Sequence, residues 1–383
     1  MSKLDELIQQ YCPDGVEYKP LKDILRIRNG RDYKHLDKGL IPVYGSGGIM
    51  TYVDTPMYSK PSVLIPRKGS IDKLYYVDTP FWNVDTVFYT EIDTSKVVEK
   101  YVYYVLQKEH LEKLNTAGGV PSLTQGVLNE VLIPVPPLPV QEEIVRILDS
   151  FAELQAELQA ELQKRLQQYN YYRDNLFSFE GRTDVEWKKL GDVASIKTGR
   201  RFVRTDIRES GVPCFHYGDI YTYYGLTATT TKGYLDAELA SKLRFAQPND
   251  VVVVCAGEND MDIGVGVAWL GDEPAVVHDA CCILHHNQNP RYISHFLRTH
   301  NYHLQIRRYV KNGKISSLPA SGLAEAIIPI PSLEEQEKIA SILDRFDTLT
   351  TDITAGLPAE IEARRKQYEY YRDQLLTFKR KNI

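Results

Sequence analysis

The chain has 383 residues, with 46 Lys and Arg against 51 Asp and Glu, and a formal net charge of −5. This length allows two domains of ordinary size, and the five cysteines include no CxxC pair or regular framework, which disfavours a disulfide-stabilised secreted protein. No apolar run has the length of a signal peptide or a membrane span, so the sequence predicts a cytoplasmic protein without a membrane partner.

The chain contains an internal duplication, and this repeat determines the order of its domains. LIPVPPLPVQEEIVRILDSF at 132–151 returns as IIPIPSLEEQEKIASILDRF at 327–346, an offset of 195 residues. Two further pairs begin at Val16 and Val185 (VEYKPLKDILRIRNGR and VEWKKLGDVASIKTGR) and at Tyr169 and Tyr368 (YNYYRDNLFSF and YEYYRDQLLTF). The order predicts a globular unit at 1–135, a helical segment at 136–180, a second globular unit at 181–330 and a second helical segment at 331–383.

In the first globular unit the sequence IPVYGSGGI places Gly45, Gly47 and Gly48 close together. It matches a cofactor-binding loop only weakly, because the strand, helix and acidic residue that accompany such loops are missing. A turn that brings the backbone close to a ligand or a neighbouring strand is the better interpretation. We expect the aromatic residues Phe81 and Trp82 of this unit, like Trp269 of the second unit, to lie in the core.

The first helical segment has apolar residues at three- and four-residue steps from Ile144 to Leu176. This spacing predicts one amphipathic helix of about 38 residues, roughly 57 Å long. Its single apolar stripe needs a partner, and the matching stripe belongs to the second helical segment, which predicts that the two helices pair as a coiled coil. An antiparallel pair would carry the two globular units to opposite ends, whereas a parallel pair, the alternative, would place both at one end. The tetrapeptide AELQ occurs three times from Ala152. These copies indicate a spacer whose length can vary, although low-complexity filler remains an alternative.

The second half contains His278, His285 and His286 beside Cys281 and Cys282. A metal site is one interpretation, but adjacent ligand pairs on a strand point in different directions, so a strand with buried cysteines is favoured. Further along, Pro358 follows Gly356 inside the second helical segment. Since proline lacks the amide hydrogen that an interior helical position donates, it is expected to kink or restart that helix.

Motifs for catalysis are missing from the sequence. There is no GxxxxGK[ST] phosphate loop and no [ND]PP[YF] motif of the kind that amino-methylating enzymes use to hold a flipped base. The acidic residues Glu258, Asp260 and Asp262 have no lysine at the spacing of a nuclease site. We therefore expect a protein that is not an enzyme and has no cofactor or metal.

The duplicated segments VPPLPVQEEIVRILD and YNYYRDNLFSF, with IPVYGSGGI, RKGSI and PFWNVDT of the first unit, closely resemble the specificity subunit of type I restriction-modification systems. The resemblance covers essentially the whole chain. It implies an α+β fold in which two α/β target-recognition domains are separated by two long antiparallel helices, with a pseudo-two-fold repeat. It also implies that each domain binds one half of a bipartite double-stranded DNA site and that the helices set the spacer. Two modification (methyltransferase) subunits would dock on them and restriction (nuclease and translocase) subunits would join the assembly.

Candidate DNA contacts combine flexible glycine-rich turns with cationic and aromatic side chains, which can approach phosphates and base edges respectively. For each of these residues, ordinary use on the surface or in a turn is the alternative. The candidates are Tyr44, Ser46, Gly47, Gly48, Arg67, Lys68 and Lys73 in the first unit and Arg200, Arg201, His216, Tyr217, Tyr223, Lys311, Lys314 and Ser316 in the second.

Two other functions remain open from the sequence. A stand-alone enzyme acting on DNA is disfavoured by the missing motifs. A coiled-coil scaffold with two protein-binding heads is the stronger alternative, and it predicts no salt-dependent affinity for duplex DNA, whereas phosphate contacts would impose a steep salt dependence.

Overall fold

The computed structural model describes residues 2–115, 119–257, 262–311, 313, 315–351 and 355–381. The chain forms two compact units. Unit 1 comprises Met1–Glu157 and Ala363–Ile383, and unit 2 comprises Leu158–Glu362. Both boundaries between the units fall inside helices. Within the described residues, no helix is apolar over a stretch long enough to cross a membrane.

Unit 1 has a small mixed architecture in which one N-terminal helix precedes most of the strands and the remaining helices follow them. Its elements are α1 (Lys3–Tyr11), β1 (Tyr18–Pro20), β2 (Leu25–Asn29), β3 (Lys38–Gly45), β4 (Gly48–Val53), β5 (Ser62–Pro66), β6 (Tyr75–Val77), β7 (Trp82–Asn83), β8 (Val87–Ile92), α2 (Glu99–Lys108), α3 (Gln125–Asn129), β9 (Leu132–Pro134) and the start of α4 (Leu138–Leu176). One sheet has the order β2-β8-β5-β6, a second has the order β4-β3-β7, and β1 pairs with β9.

Unit 2 repeats this plan with additional strands. Its elements are β10 (Glu186–Lys189), α5 (Leu190–Val193), β11 (Ala194–Thr198), β12 (Val212–Phe215), α6 (Tyr217–Thr222), β13 (Thr227–Ala228), β14 (Gly233–Leu235), α7 (Ala237–Ala240), β15 (Phe245–Ala246), β16 (Val251–Val254), β17 (Ala256–Gly257), β18 (Gly266–Trp269), β19 (Ala275–Val277), β20 (Cys281–His286), α8 (Pro290–Phe296), α9 (His300–Arg307), β21 (Ser316–Ser317), α10 (Ala320–Ala324), β22 (Ile327–Ile330), α11 (Leu333–Thr351) and α12 (Gly356–Leu375), which ends in unit 1. Its larger sheets have the orders β11-β20-β16-β18-β13 and β14-β12-β19-β15.

The duplication extends to the register of individual strand pairs. Strands β3 and β7 pair in parallel with Tyr44 opposite Asn83, and β12 and β19 do so with Phe215 opposite Val277. Two antiparallel pairings correspond in the same way: Tyr18 with Pro134 and Trp187 with Pro329, and Asn29 with Phe88 and Thr198 with Cys282. The two halves therefore have one topology, and the predicted α+β fold with an internal repeat is confirmed.

The cores are built around strands that are buried on both faces. Every residue of β5 and β16 is buried, as expected for central strands with continuous apolar runs. The predicted core aromatics are confirmed, because Phe81 is fully buried, Trp82 is 8% exposed and Trp269 is 2% exposed.

The helical predictions are also confirmed. Helix α4 is continuous over 39 residues, close to the predicted length. The second helical segment is broken, since α11 ends at Thr351 and α12 begins at Gly356 with a φ of 76°. Pro358 lies in the first turn of α12, where its missing amide hydrogen removes no helical bond.

Each unit contains its own antiparallel helix pair. In unit 1, Leu376 shares a buried cluster with Ile144 and Leu148 near the start of α4, and Tyr371 stacks on Phe151 with ring centroids 5.5 Å apart. In unit 2, the equivalent rings of Phe346 and Tyr172 stack at the same separation of 5.5 Å. Thus the first part of each half's helical segment is buried by the last part of the other half's segment.

Candidate nucleic-acid interface

The glycine-rich segment of unit 1 forms a tight hairpin turn between β3 and β4. Ser46 and Gly47 connect the strands, and Gly48 adopts a φ of 121°, a conformation that glycine tolerates without steric cost. The Tyr75 hydroxyl donates a hydrogen bond of 3.1 Å to the carbonyl oxygen of Ser46. Tyr44 packs against Tyr75 and Phe81, and burial raises the pKa of its hydroxyl. Tyr44 therefore supports the turn, while Ser46, Gly47 and Gly48 form it.

The loop after β5 lies against this turn. A Cβ on Gly69 would be 3.2 Å from Ser46 Oγ, so the two loops are in contact. The exposed Lys68 forms a β-bridge with Ser122, and the Leu123 amide donates to the carbonyl oxygen of Arg67 at 2.9 Å. The turn, Lys68 and the loop containing Ser122 form one continuous surface, which we call site 1.

Arg67 and Lys73 have different positions from Lys68. The Arg67 guanidinium lies over the Phe88 ring at 5.0 Å, and its Nη1 is 3.5 Å from Asn29 Oδ1. Arg67 is half-buried, and its buried Nε has no hydrogen-bond partner among the described residues. Lys73 is exposed at the end of the turn that begins at Ser70. Arg67 consequently packs on the protein itself, whereas Lys68 and Lys73 present their charges to solvent.

In unit 2 an open cleft of about 390 Å³ brings three predicted residues together with side chains from distant segments of the sequence. It contains the predicted Arg201, His216 and Tyr217, and we call it site 2. The remaining lining residues are Phe202, Val203, Arg204, Ala256, Gly257, His278, Asp279, Ala280 and Ile315.

Aromatic rings form one wall of site 2. The His216 ring lies 4.6 Å from that of Tyr217 and 4.9 Å from that of His278, between centroids. Phe202 contacts His278 edge-on at 5.0 Å. Tilted rings and imidazoles of this kind offer both apolar surfaces and hydrogen-bonding groups to a ligand.

The imidazoles of site 2 are neutral near pH 7. Burial lowers the pKa of His216, and the neighbouring His278 lowers it further. Burial likewise lowers the pKa of His278. The Gly218 amide donates to His216 Nδ1 at 3.3 Å, so the neutral His216 ring carries its proton on Nε2 and acts as a hydrogen-bond donor there. The positive charge of the cleft therefore comes from the exposed Arg201 and Arg204.

Sites 1 and 2 occupy equivalent places in the two units. Because Tyr44 corresponds to Phe215 in strand register, the Ser46 turn takes the place of Tyr217 at the start of α6. On the facing loop, Lys68 pairs with Ser122 as Ala256 pairs with Ser317. The backbone framework is shared, but the side chains that it presents differ.

Four other predicted residues of unit 2 lie outside the cleft wall. Arg200 Nη1 donates to the carbonyl oxygen of Lys242 at 2.7 Å. Tyr223 lines a separate cavity with Arg291. Ser316 is buried and pairs with Gly257 at the edge of site 2, and Lys311 is exposed and pairs through its backbone with Ser317. Lys314 lies outside the described residues.

The sequence did not single out Phe202, His278 or Ile315 as site residues. The sequence indicates a role for His278 only as a metal ligand, together with His285 and His286, and the structure gives these three histidines separate surroundings. His285 Nδ1 lies 2.7 Å from Asp250 Oδ1, and His286 Nδ1 accepts a hydrogen bond from the Gln288 amide. No cluster of three or more possible ligands that could hold a metal ion exists in the part of the chain that the structure describes. A signal for Ile315 did exist, because it matches Val120 at the repeat offset of 195.

Comparisons with known proteins agree with this architecture. A family model described as type I restriction modification DNA specificity domain matches residues 13–168 and 183–363. A type I restriction enzyme specificity subunit of Escherichia coli is 35% identical over 304 residues, which cover 76% of this chain and 73% of that protein. A Haemophilus influenzae protein assigned to the same subunit class is 30% identical over 391 residues, covering 95% and 96% of the two chains.

Solved structures show the same fold at low sequence identity. The S subunit of a type I restriction-modification system from M. genitalium superposes with a TM-score of 0.58 and 16% identity, covering 94% of this chain and 96% of that one. A chain from a study of type I complex assembly and conformational transition superposes with a TM-score of 0.60 and 14% identity, covering 95% and 98%.

Proposed function

Because the chain belongs to the family of type I restriction-modification specificity subunits, we propose that it binds a bipartite, asymmetric site in double-stranded DNA. The protein is a non-catalytic DNA-recognition subunit of such a system. In the proposal each unit binds one half-site. The long helices set the length of the non-recognised spacer between the two half-sites, and they dock two modification subunits. Restriction subunits join that assembly in the cytoplasm.

The observation that carries the proposal is the equivalence of sites 1 and 2. One backbone framework occurs twice in one chain, which suits two similar binding events on one duplex. Its side chains differ, with a serine-glycine turn and Lys68 at one site and imidazoles with Arg201 at the other. Since base edges are recognised by side chains, the two half-sites should have different sequences.

The roles within each site follow from chemistry. We assign phosphate contacts to the exposed cations Lys68, Lys73, Arg201 and Lys311, because a charged flexible side chain positions a protein on DNA without selecting a sequence. His216 and Tyr217 carry hydrogen-bonding groups on flat rings and suit base edges. Gly47 has open space around it, which permits close approach of a DNA backbone.

The direct test is DNA binding by the chain assembled with the modification subunits of its system. Methylation mapping in cells should reveal a two-part target, and a duplex with that target should bind with a steep salt dependence. Arg201→Gln should weaken binding to all duplexes and lower the salt slope by about one. Arg200→Gln is the matched control, since Lys242 already accepts from its guanidinium. Binding that ignores salt would instead favour a protein-binding scaffold.

The spacer role depends on the AELQ repeats of α4. Ala152, Ala156 and Ala160 are exposed, and Leu154 and Leu158 are only half-buried, so this stretch contributes no fully buried side chain. Deleting Ala156–Gln159 removes one AELQ copy and leaves the other two adjacent. It shortens the helix by about 6 Å and rotates the residues after the deletion by about 40° around the helix axis. We expect a shorter unread spacer and unchanged half-sites. Glu157→Ala, which keeps the length, is the control, and an unaltered spacer in the deletion variant would refute this role.

Docking of two modification subunits requires a surface that occurs twice. Tyr171 and Tyr370 meet this requirement, because they are equivalent in the repeat and are 65% and 61% exposed. Exposed tyrosines are enriched at protein interfaces. In native mass spectrometry, Tyr171→Ala and Tyr370→Ala should each lose one modification subunit and the double variant should lose both. Tyr11→Ala, which removes an exposed tyrosine of α1, should retain both copies. Retention of both by the double variant would contradict this assignment.

A further inference from the structure

Two aliphatic side chains stand exposed at the same place in the two units. Val120 is 70% exposed and Ile315 is 61% exposed. Each lies two residues before the serine that pairs with the loop after the central strand, Ser122 with Lys68 and Ser317 with Ala256. The position is therefore set by the shared framework and does not result from an irregular loop in one half.

The surroundings of Ile315 combine charged, hydrogen-bonding and apolar side chains. It lines site 2 together with Arg201, His216, Tyr217 and Asp279, and with the apolar Phe202 and Val203. These few apolar groups, bordered by cations and hydrogen-bonding rings, form a smaller apolar surface than the contiguous patch that a protein partner usually covers. Such a surface suits a ligand that is mostly charged and polar but carries a small apolar group.

Duplex DNA has such a group. Contacts to phosphate and sugar are made by charged and hydrogen-bonding side chains. Among the base edges in the major groove, the 5-methyl group of thymine is the apolar feature, and side chains without hydrogen-bonding atoms recognise it by contact. A valine and an isoleucine at the same framework position would then contact the same kind of group.

We propose that Val120 and Ile315 each contact a thymine 5-methyl group, and that the two half-sites share a T·A pair at the corresponding position. This inference rests on the proposed function, because it names what one residue of each site recognises. It adds that two half-sites with otherwise different sequences have one base pair in common. The rest of each half-site is recognised by side chains that the two units do not share.

The test uses the chain assembled with its modification subunits and a duplex carrying the mapped target. Each thymine is replaced singly by deoxyuridine, which lacks only the 5-methyl group. One such replacement in the half-site bound by unit 2 should weaken binding about threefold to fivefold, the effect of one buried methyl group. Ile315→Ala should lose a similar factor on the thymine duplex and should be insensitive to that replacement. Val120→Ala should behave in the same way for the other half-site.

Leu304→Ala is the matched control, since Leu304 is an aliphatic residue of unit 2 that is 53% exposed on α9. It should keep full affinity and full sensitivity to deoxyuridine. Binding to a scrambled duplex should be the same for wild type and Ile315→Ala, because a base contact contributes only to specific binding.

The outcomes separate this inference from the proposed function. If the wild-type assembly binds the mapped and scrambled duplexes equally, the proposed function itself fails. If it binds specifically but no deoxyuridine matters, or if Ile315→Ala stays as sensitive as wild type, the thymine contact is overturned. Half-sites without a T·A pair at corresponding positions also overturn it, as does loss of a modification subunit from Ile315→Ala with unchanged DNA affinity.

Discussion

A buried glutamine at the start of α4 offers a sharp test of how each unit is held together. Gln141 is fully buried. Its Oε1 accepts from the Val98 amide at 2.8 Å, and its Nε2 donates to the carbonyl oxygens of Lys96 at 3.0 Å and Pro136 at 2.7 Å. Val98 is the N-cap residue of α2 and has no side-chain cap. Gln141 therefore caps α2 and ties it to α4.

The repeat supplies a natural counterpart in Gln336. It is also fully buried, and its Oε1 accepts from the amide of Asn289, the N-cap residue of α8, at 3.0 Å. Its Nε2 donates to the Pro331 carbonyl oxygen at 2.9 Å and to Gln288 Oε1 at 2.8 Å. Gln336 thus joins α8 to α11 in unit 2, as Gln141 joins α2 to α4 in unit 1.

Methionine at either position keeps the side-chain volume and removes all three hydrogen bonds. The bond to Pro136 is buried, and losing the partner of a buried carbonyl costs about 1–3 kcal/mol. The two part-buried bonds add about 0.5–1.5 kcal/mol each. We expect Gln141→Met to lower the free energy of unfolding by about 2–6 kcal/mol. Gln336→Met should cost less, because the half-buried Gln288 can turn to water.

Urea unfolding followed by circular dichroism measures the size of each loss, and hydrogen exchange locates it. Gln141→Met should speed exchange in α2, and Gln336→Met should speed it in α8. Gln159→Met, at an exposed position of α4, should change stability by less than about 0.5 kcal/mol. The reasoning is refuted if Gln141→Met is as stable as this control, or if its faster exchange appears in unit 2.

Three further predictions concern acid stability, a close backbone contact and thiol reactivity. Burial lowers the pKa of His286 to about 4, and its Nδ1 accepts the Gln288 amide. As the pH falls, His286 is protonated first in the unfolded chain, where its pKa is about 6.5. The free energy of unfolding of unit 2 should therefore fall by on the order of 1–2 kcal/mol between pH 7 and 5. Urea titrations should show that His286→Gln makes the free energy of unfolding less dependent on pH. A Cβ on Gly199 would lie 2.3 Å from the His278 carbonyl oxygen, so Gly199→Ala should lower the free energy of unfolding by about 1–3 kcal/mol, measured by thermal unfolding. Gly47 has open space around it, so Gly47→Ala should leave the stability unchanged. All five cysteines are free and buried, so a thiol reagent should label the native protein slowly and the urea-unfolded protein at five sites; rapid native labelling would contradict the burial.

Several features of the fold follow from local sequence patterns. The period of the apolar residues predicted a helix close to the 39 residues of α4, and Pro358 predicted the break that separates α11 from α12. Such features depend on residues a few positions apart, whose geometry the backbone fixes. The duplication was visible because both copies must bury equivalent apolar positions, which preserves their spacing.

The positions of the candidate-site residues depend on the pairing of strands that are distant in the sequence. Lys68 meets the Ser46 turn because β5 and β3 belong to different sheets whose loops converge, and His216 meets His278 across the parallel pairing of β12 with β19. Strand register between distant segments is set by the packing of whole sheets, which no single stretch of sequence contains. Arg200 and Tyr223 looked equivalent to Arg201 and Tyr217 in the sequence, yet they have other neighbours.

The sequence by itself determined that the chain is two copies of one unit joined by helical segments, because repeats and helical periods are properties of neighbouring residues. Only the tertiary structure decided which loops from each copy share a surface, and that Val120 and Ile315 are exposed beside those loops. The reason is physical: a loop takes its place from the strands it connects, and those strands find their register through a core assembled from the whole unit.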